Sequence, residues 1–297
     1  MSILPQLLLN ALITGGIYAL VTSGLSLTFA LTRVLNLAHG HLMMAGAYSF
    51  YYAYVQRGWG LFPATLFCMG SSVVLGLVTL KTFVAPFARY SVVLALVSTL
   101  AFATIIESTV SLIFDVNVKS LMVGAYPESF EWCGVFITSL QLLIIGLAIV
   151  ILGILAFIVH GTGFGRFIRA FSESSVTTES LGISKSKVMG IVFIVSAMLS
   201  SLAGVLVGFE TSLQPTMGNA YTLKCCAIII LGGLGNLWGT LVGAFLLGLM
   251  ENLLVGLEFG SFSIPTGYKD AVAFVLILFV LLVRPEGLFR KRGRAAC

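Results

Sequence analysis

The chain has 297 residues, of which 59% are hydrophobic and 9% are charged. Soluble domains carry about 25% charged residues, so the composition excludes a soluble globular protein and indicates a helical integral membrane protein. The net charge of +5 reflects orientation in the membrane and contact with anionic headgroups, because the basic residues lack the interleaved aromatic residues of a nucleic-acid-binding face.

Apolar stretches and polar interruptions alternate along the first half of the chain. A helix needs about 20 apolar residues to cross a bilayer. Candidate spans cover residues 7–31, 41–55, 61–83, 91–114 and 140–159. A polar loop at 115–132 separates the fourth candidate span from the fifth.

The first interruption, residues 32–40, has the sequence TRVLNLAHG. Unwound backbone at membrane depth is stable only inside protein or beside water. Asn36, His39 and Gly40 therefore predict either a broken segment that lines a translocation pathway or an ordinary short loop. In that loop Asn36 would act as a cap and His39 would be bonded internally. His39 and His41 have no carboxylate nearby in the sequence, so we expect no metal site.

One acidic residue, Glu107, lies deep inside the fourth candidate span. A charge at the centre of a membrane helix costs about 2.5–3.5 kcal/mol on insertion scales, so this side chain must face protein or water. It predicts either a site on the translocation pathway, which a proton-coupled mechanism would also use, or a structural glutamate bonded to a polar neighbour.

The longest polar stretch before the tail, residues 160–187, separates the fifth span from the sixth. A stretch this polar cannot lie in hydrocarbon, and its lysines and arginines place it on the cytoplasmic side. We predict a short helix over residues 172–181, with Ser172 as N-cap, Glu173 in the first turn and Gly182 as the C-terminal stop.

Small residues mark the sixth span, residues 188–208. Ser196, Ser200, Gly204 and Gly208 recur there at a spacing of four residues. This spacing places them on one helix face, which predicts the close approach of another helix.

After a polar turn at 210–222, residues 223–256 form a 34-residue apolar block. One helix of that length would be about 50 Å long, well over the hydrocarbon thickness of about 30 Å. The block must therefore break, and its glycines predict the break at 232–236. Further pathway candidates at this break are Gly232, Gly233, Gly235 and Asn236.

The basic residues predict the orientation of the spans. The central loop and the basic tail at 284–297 both belong in the cytoplasm, so an even number of segments must separate them. Splitting 223–256 gives four segments, including a last span at 270–283. The N-terminus then lies outside, or inside if one early segment is re-entrant. With the N-terminus outside, twelve lysines and arginines are cytoplasmic against four outside, Lys224 among the latter. We expect one all-α polytopic transmembrane domain over 1–297, with about eight to ten segments and broken or re-entrant helices.

Motifs that would indicate chemistry are absent from the sequence. The chain contains no Gly-Lys pair, and hence no phosphate-binding loop, and it has no GxSxG or HExxH motif. Its five cysteines include no CxxC pair. We therefore expect neither an enzyme nor a metal or cofactor site in this chain.

Four motifs together suggest a family. They are RVLNLAHGHLMMAGAY at 33–48, GFGRFIRAFSESSVTTESLGIS at 163–184, ILGGLGNLWGTLVGAFLLGLME at 230–251 and YKDAVAFVLILFVLLVRPEGLF at 268–289. In content and order they resemble the permeases of branched-chain amino-acid ABC importers, and the length suits the shorter of the two permease types. The motifs extend over most of the chain.

The resemblance implies an ABC importer permease in a bacterial inner membrane, with ATP used by partner subunits rather than by this chain. The implied partners are a second homologous permease, two ATP-binding-cassette ATPase subunits, an extracytoplasmic solute-binding protein and the lipid bilayer, without nucleic acid. Residues 163–184 resemble the cytoplasmic coupling loop that meets the ATPase. The implied coupling residues are Arg169, Ser172, Glu173, Ser175, Glu179, Leu181 and Gly182.

Two departures from the family pattern leave the solute open. His41 stands where an acidic residue often follows the His-Gly pair, and residues 172–180 are rich in hydroxyl groups. The solute is therefore either a branched-chain amino acid or a related small polar organic solute, such as urea or a short amide. The alternative is an ion-coupled secondary transporter that uses Glu107 and needs no partner ATPase.

Overall fold

The computed structural model describes residues 3–122, 129–132, 135–180, 182–256, 271, 274, 275, 278, 280, 282 and 287–289. Helices dominate this part of the chain. They are α1 (Ile3–Thr32), α2 (His39–Tyr51), α3 (Leu61–Val78), α4 (Val92–Phe114), α5 (Ser139–Gly161), α6 (Gly163–Glu173), α7 (Ser175–Ser180), α8 (Lys185–Glu210), α9 (Met217–Gly232) and α10 (Leu237–Gly256). The predicted last span at 270–283 and the tail at 284–297 lie almost entirely outside the described residues.

Six helical segments are long and apolar enough to cross a membrane. They are Leu4–Thr32, Leu61–Val84, Val92–Phe114, Ser139–Gly161, Lys185–Glu210 and Leu237–Leu254. The predicted polytopic helical fold is therefore confirmed. Two further helices are short: α2 has 13 residues and α9 has 16. At 1.5 Å per residue, α9 is about 24 Å long, which is less than the hydrocarbon thickness.

Polar side chains begin the helices where the apolar runs start. At α4, the Ser91 hydroxyl accepts a hydrogen bond from the Val93 amide at 3.2 Å. At α5, Thr138 and Gln141 form a reciprocal capping box, with both hydrogen bonds at 3.2 Å. Such caps satisfy amide groups that have no partner within the helix.

The long apolar block breaks where the glycines predicted. Helix α9 ends at Gly232 and α10 begins at Leu237. Gly233 and Gly235 take φ angles of +98° and +78° in between, a region that residues with a side chain rarely adopt. The prediction of the turn at 210–222 was too long, because α9 already begins at Met217.

The described structure also departs from a purely helical chain. Strands β1 (Ser129–Trp132) and β2 (Val135–Thr138) form an antiparallel hairpin just before α5. The hairpin lies in the predicted polar loop at 115–132 and just after it, and the fold remains all-α in class. The physical reason for the hairpin is local: the loop between α4 and α5 is long enough to pair with itself outside the apolar spans.

The core lies where α1 and α8 pack against α2, α9 and α10. Helices α1 and α8 bury most of their surface inside the chain, whereas α3, α4 and α5 leave most of theirs exposed. The predicted small-residue face of α8 is confirmed as a contact surface. A Cβ atom at Gly204 would collide with the Met43 carbonyl of α2, and one at Gly208 would meet Leu121 at 2.6 Å.

The bundle has two distinct ends. At the end that we name the hairpin end, the Phe136 amide of β2 donates to the Gln6 side chain of α1 at 2.9 Å. Gln141 at the start of α5 likewise donates to Glu210 at the end of α8 at 3.2 Å. At the opposite end, which we name the α6–α7 end, Arg33 after α1 contacts Ser172 of α6.

Candidate functional site

The break between α1 and α2 is held by its own polar groups. The Asn36 side-chain oxygen accepts a hydrogen bond from the Ala38 amide at 3.1 Å. His39 Nε2 lies 2.8 Å from the Val21 carbonyl, and the His39 carbonyl accepts from Ser200 at 3.1 Å. Asn36 and His39 are both buried. The described contacts of both side chains therefore stabilise the break, and His39 begins α2 rather than lying in the loop.

Helices α2 and α9 cross at backbone contact. The Gly40 amide donates to the Thr222 hydroxyl at 3.1 Å. A Cβ atom at Gly40 would collide with the Gly218 carbonyl, and one at Gly218 would lie 2.8 Å from the His41 ring. The two glycines therefore allow α9 to pass directly over the first turn of α2.

This crossing brings three polar side chains together. His41 Nε2 lies 3.3 Å from Glu107 Oε2, and Asn219 Nδ2 donates to the same oxygen at 2.9 Å. We name His41, Glu107 and Asn219 the open cluster, because the Glu107 side chain is 24% exposed while His41 is 1% exposed. No carboxylate stands near His41 in the sequence, and α4 supplies this one from 66 residues away.

The depth of Glu107 limits what can face it. At 1.5 Å per residue, it lies about 22 Å from the first residue of α4 and about 10 Å from the last. A partly exposed carboxylate at that depth cannot face lipid without a large desolvation cost. The surface around Glu107 and the exposed Asn219 must therefore face water or another protein.

A second polar cluster is enclosed within the bundle. Lys224 of α9 lies 3.1 Å from Glu251 of α10. Tyr18 of α1 donates its hydroxyl hydrogen to Glu251 at 2.7 Å and accepts from Lys224 at 2.8 Å. We name these three residues the enclosed cluster, since Glu251 is fully buried and the Lys224 side chain is 10% exposed. The placement of Lys224 outside the membrane was wrong, since Lys224 lies at the centre of α9 and inside the bundle. The contacts with Tyr18 and Glu251 compensate its charge there.

The glycine-rich break lies at the α6–α7 end, far along the bundle from the open cluster. A cavity of about 430 Å³ opens there. Its walls include Arg33, His160, Arg169, Ser172, Glu173, Gly233, Gly235, Asn236 and Trp238. The predicted pathway residues therefore fall into two groups, one at the start of α2 and one at the cavity.

Close contacts fix the walls of this cavity. Gly232 and Gly239 are in backbone contact across the break. The Asn236 side chain donates to the Phe289 carbonyl at 2.9 Å, and Trp238 donates to His160 at 3.2 Å. Hence the turn between α9 and α10, the end of α5 and residues 287–289 pack against one another.

The central polar stretch contains two helices instead of one. Thr162 caps α6 by accepting from the Gly165 amide at 3.2 Å, so Ser172 and Glu173 end α6. The predicted N-cap at Ser172 was therefore wrong. Helix α7 starts after Ser174, whose carbonyl accepts from the Thr178 amide at 3.3 Å.

The remaining predicted coupling residues lie on or beside these helices. Arg169 of α6 donates to the Val159 carbonyl of α5, and Ser175 and Glu179 belong to α7. Gly182, with φ +79°, donates its amide to the Glu179 carbonyl at 2.9 Å, which supports its prediction as the C-terminal stop. Leu181 lies outside the described residues.

A metal site in the described residues would need a cluster of ligating side chains. No three His, Cys, Asp or Glu side chains come together there in a way that could hold a metal ion. Neither Asn219 nor Tyr18 was predicted as a site residue. A carboxylate within an apolar span was the one available signal, and it indicated Glu107 but not its partners.

Comparisons with known proteins assign these features to a family. A family model described as the permease component of the branched-chain amino acid transport system matches residues 7–281. The high-affinity branched-chain amino acid transport system permease protein BraD of Pseudomonas aeruginosa is 28% identical over 297 residues, which covers 95% of this chain and 94% of BraD. LivH of Escherichia coli K12, a permease protein described in the same words, is 28% identical over 301 residues, with the same two coverages.

A solved structure shares the fold. The chain superposes on a metal-chelate type ABC transporter in an inward-facing conformation with a TM-score of 0.52. The sequences are 14% identical, and the match covers 94% of this chain and 85% of the other. This likeness concerns the helical architecture alone.

Proposed function

The chain belongs to the family of branched-chain amino acid transport system permease components, and from that premise we propose that it forms half of the solute pathway of an ATP-driven importer for aliphatic amino acids. It is a multi-pass inner-membrane permease subunit. The names of BraD and LivH support the solute class. The ion-coupled alternative has no support among the relatives, which are permeases of ABC systems.

The partners in this proposal follow from the importer class. A second homologous permease completes the pathway, two ATPase subunits bind and hydrolyse ATP, and an extracytoplasmic protein delivers the solute. This chain itself holds no ATP, cofactor or metal. The lack of any Gly-Lys pair in its sequence supports this division of work, since a phosphate-binding loop needs that lysine.

The observation that carries the solute class is the open cluster. Its carboxylate, Glu107, is held in place by Asn219 and His41 yet keeps 24% of its side chain exposed. A carboxylate in a low-dielectric environment attracts a cationic partner strongly. The ammonium group of an amino acid supplies that charge, whereas urea and a short amide do not.

The proposed path joins the two groups of predicted residues. Solute enters beside the open cluster and passes the break shaped by Asn36, His39 and Gly40. It leaves through the cavity beside the turn that holds Gly232, Gly233, Gly235 and Asn236. The face of α4 and α9 that exposes Glu107 and Asn219 turns toward the second permease, because lipid cannot cover it.

In this proposal, α7 and the end of α6 contact the ATPase. Ser175 and Glu179 on α7 offer hydroxyl and carboxylate groups. Arg169, Ser172 and Glu173 support α7 from the neighbouring helix. Leu181 and Gly182 end the contact segment.

Uptake by the complete importer in proteoliposomes tests the function. We expect ATP-dependent uptake of leucine, isoleucine and valine, and none of 4-methyl-2-oxopentanoate, which keeps the leucine side chain and carboxylate but lacks the ammonium group. Urea serves as the uncharged comparison. Uptake driven by an ion gradient in liposomes without the ATPase would overturn the ATP-driven mechanism, and equal uptake of the oxo acid would overturn the role of the ammonium group.

A further inference from the structure

Arg33 adds a polar contact between the end of α1 and the end of α6, beside the apolar packing of Leu31 with Phe171. Arg33 directly follows α1 and has a φ angle of +56°. Its amide donates to the Phe29 carbonyl at 2.9 Å, which is the pattern of a left-handed helix C-terminus that glycine normally provides. A residue with a side chain is disfavoured in this conformation. The arginine therefore occupies a position that favours glycine. The contacts of its side chain are the feature that could explain why an arginine stands there.

The side chain reaches the stretch that we propose contacts the ATPase. Arg33 Nη2 donates to the Ser172 carbonyl at 2.6 Å, across 139 residues of sequence. Ser172 is the second-last residue of α6, where helix carbonyls lack partners and carry partial negative charge. A guanidinium donor is well matched to such a carbonyl. Helix α7 begins only three residues later.

The backbone on the other side of Arg33 leads straight to the open cluster. The segment 34–38 is short and tethered, since the Leu37 amide donates to Thr99 at 3.2 Å. It ends at His39, whose ring and carbonyl are both bonded inside the bundle. Two residues further on, His41 contacts Glu107. A displacement of Arg33 is therefore transmitted to the open cluster through a few tightly held residues.

We propose that Arg33 is a positioning residue that transmits movement of the α6–α7 helices to the break before α2, and thus links ATP hydrolysis to solute passage. This proposal rests on the proposed function, because it assumes an ATPase acting on α6 and α7. A movement that shifts the Ser172 carbonyl moves the Arg33 guanidinium, and the rigid turn at Arg33 carries that movement into 34–38.

The test replaces the side chain without disturbing the turn. Arg33→Gly keeps the left-handed backbone and removes the guanidinium, so the complex should assemble and still hydrolyse ATP. The leucine transported per ATP hydrolysed should fall by about tenfold or more, the size expected from losing one hydrogen bond to a charged group. Arg33→Lys, which restores the positive charge, should recover part of that ratio. Arg57→Ala is the matched control, because the side chain of Arg57 bonds to Tyr52, just after α2, and to no other side chain among the described residues.

The outcomes separate the two proposals. An unchanged ratio of transport to hydrolysis in Arg33→Gly would overturn the positioning role while leaving the importer function intact. Absence of ATP-dependent uptake in the wild-type complex would overturn the function itself. If Arg33→Gly does not assemble, Arg33→Asn supplies the measurement, because asparagine also tolerates the left-handed region. An unchanged ratio in that variant would count equally against the proposal.

Discussion

Among the described residues, two acid–base pairs lie between helices of this permease, and their surroundings differ. The enclosed cluster joins Lys224 and Glu251 with Tyr18, and it is almost completely buried. The open cluster joins His41 and Glu107 with Asn219, and its carboxylate reaches the surface of the chain. Burial therefore separates a cluster that is enclosed by the helices it joins from one that, in the proposed function, exchanges a protein partner for a solute.

The difference in burial also predicts whether a substitution in each cluster changes the free energy of unfolding or the rate of transport. A buried ion pair contributes little net stability, but loss of one member leaves an uncompensated charge in a low-dielectric interior. A partly exposed carboxylate keeps access to water, so neutralising it disturbs the fold less. Changes in the enclosed cluster should therefore alter folding first, and changes in the open cluster should alter transport first.

The largest expected effect follows removal of the buried lysine. Lys224→Met leaves Glu251 without its cationic partner, and we expect a loss of about 3–5 kcal/mol in the free energy of unfolding. Denaturant unfolding of the permease in detergent micelles measures this change. The double variant Lys224→Met, Glu251→Met is the control, because it removes both charges and should recover most of the stability. A single variant as stable as the wild type would show that the two clusters do not differ in the way described.

A smaller effect is expected from the tyrosine that bridges the same pair. Tyr18→Phe removes a donor to Glu251 and an acceptor for Lys224, which should cost about 1–3 kcal/mol because buried polar groups lose a partner. Tyr48→Phe is the matched control: Tyr48 is equally buried, but its hydroxyl has no hydrogen-bond partner among the described residues. That change should be neutral or stabilising, and equal losses for both tyrosines would contradict the assignment of the Tyr18 hydrogen bonds.

The smallest effect on stability, with the clearest effect on transport, is expected at the open cluster. Glu107→Gln keeps the shape and the hydrogen bond from Asn219, so the free energy of unfolding should change by less than about 1 kcal/mol. Leucine uptake per complex should fall by about tenfold or more, because the loss of a charged hydrogen bond has that size. Glu210→Gln, at the hairpin end, is the control and should transport normally. Unchanged uptake in Glu107→Gln would remove the open cluster from the pathway.

The sequence was sufficient to predict the six membrane-spanning helices in the described residues and the break at 232–236, but the candidate span at 41–55 was wrong, because it folds as the short helix α2. Hydrocarbon thickness limits the length of a helix, so a 34-residue apolar block had to divide, and glycines marked the place. The fourth and fifth spans were likewise found close to their observed ends. Predictions of this kind succeed because they depend on local composition and on one dimension of the bilayer.

The partners inside the bundle could not be predicted in the same way. Glu107 lies 66 residues from His41, and the two meet only because Gly40 and Gly218 let α9 cross α2 at backbone distance. Lys224 similarly finds Glu251 and Tyr18 on two other helices. Which helices become neighbours is decided by the packing of many faces at once, and no single stretch of sequence contains that information.

The coupling helix shows a different limit. Ser172 has the residue type and spacing of an N-cap, but Thr162 begins an earlier helix that already includes it. The start of α6 was not predicted, because the glycines at 163 and 165 lower the helix propensity of its first turn. A cap signal is ambiguous wherever several hydroxyl residues follow one another, as they do in residues 172–180.

The enclosed cluster also constrains how the chain is inserted during its synthesis. Helix α9 is short and carries Lys224 at its centre, and a central lysine opposes lateral release from the translocon by about 2.5–3.5 kcal/mol. The compensating Glu251 emerges 27 residues later, which corresponds to about one to five seconds of translation. We therefore expect α9 to stay beside the translocon until α10 follows, so that the two helices enter the bilayer together as a hairpin that packs against α1.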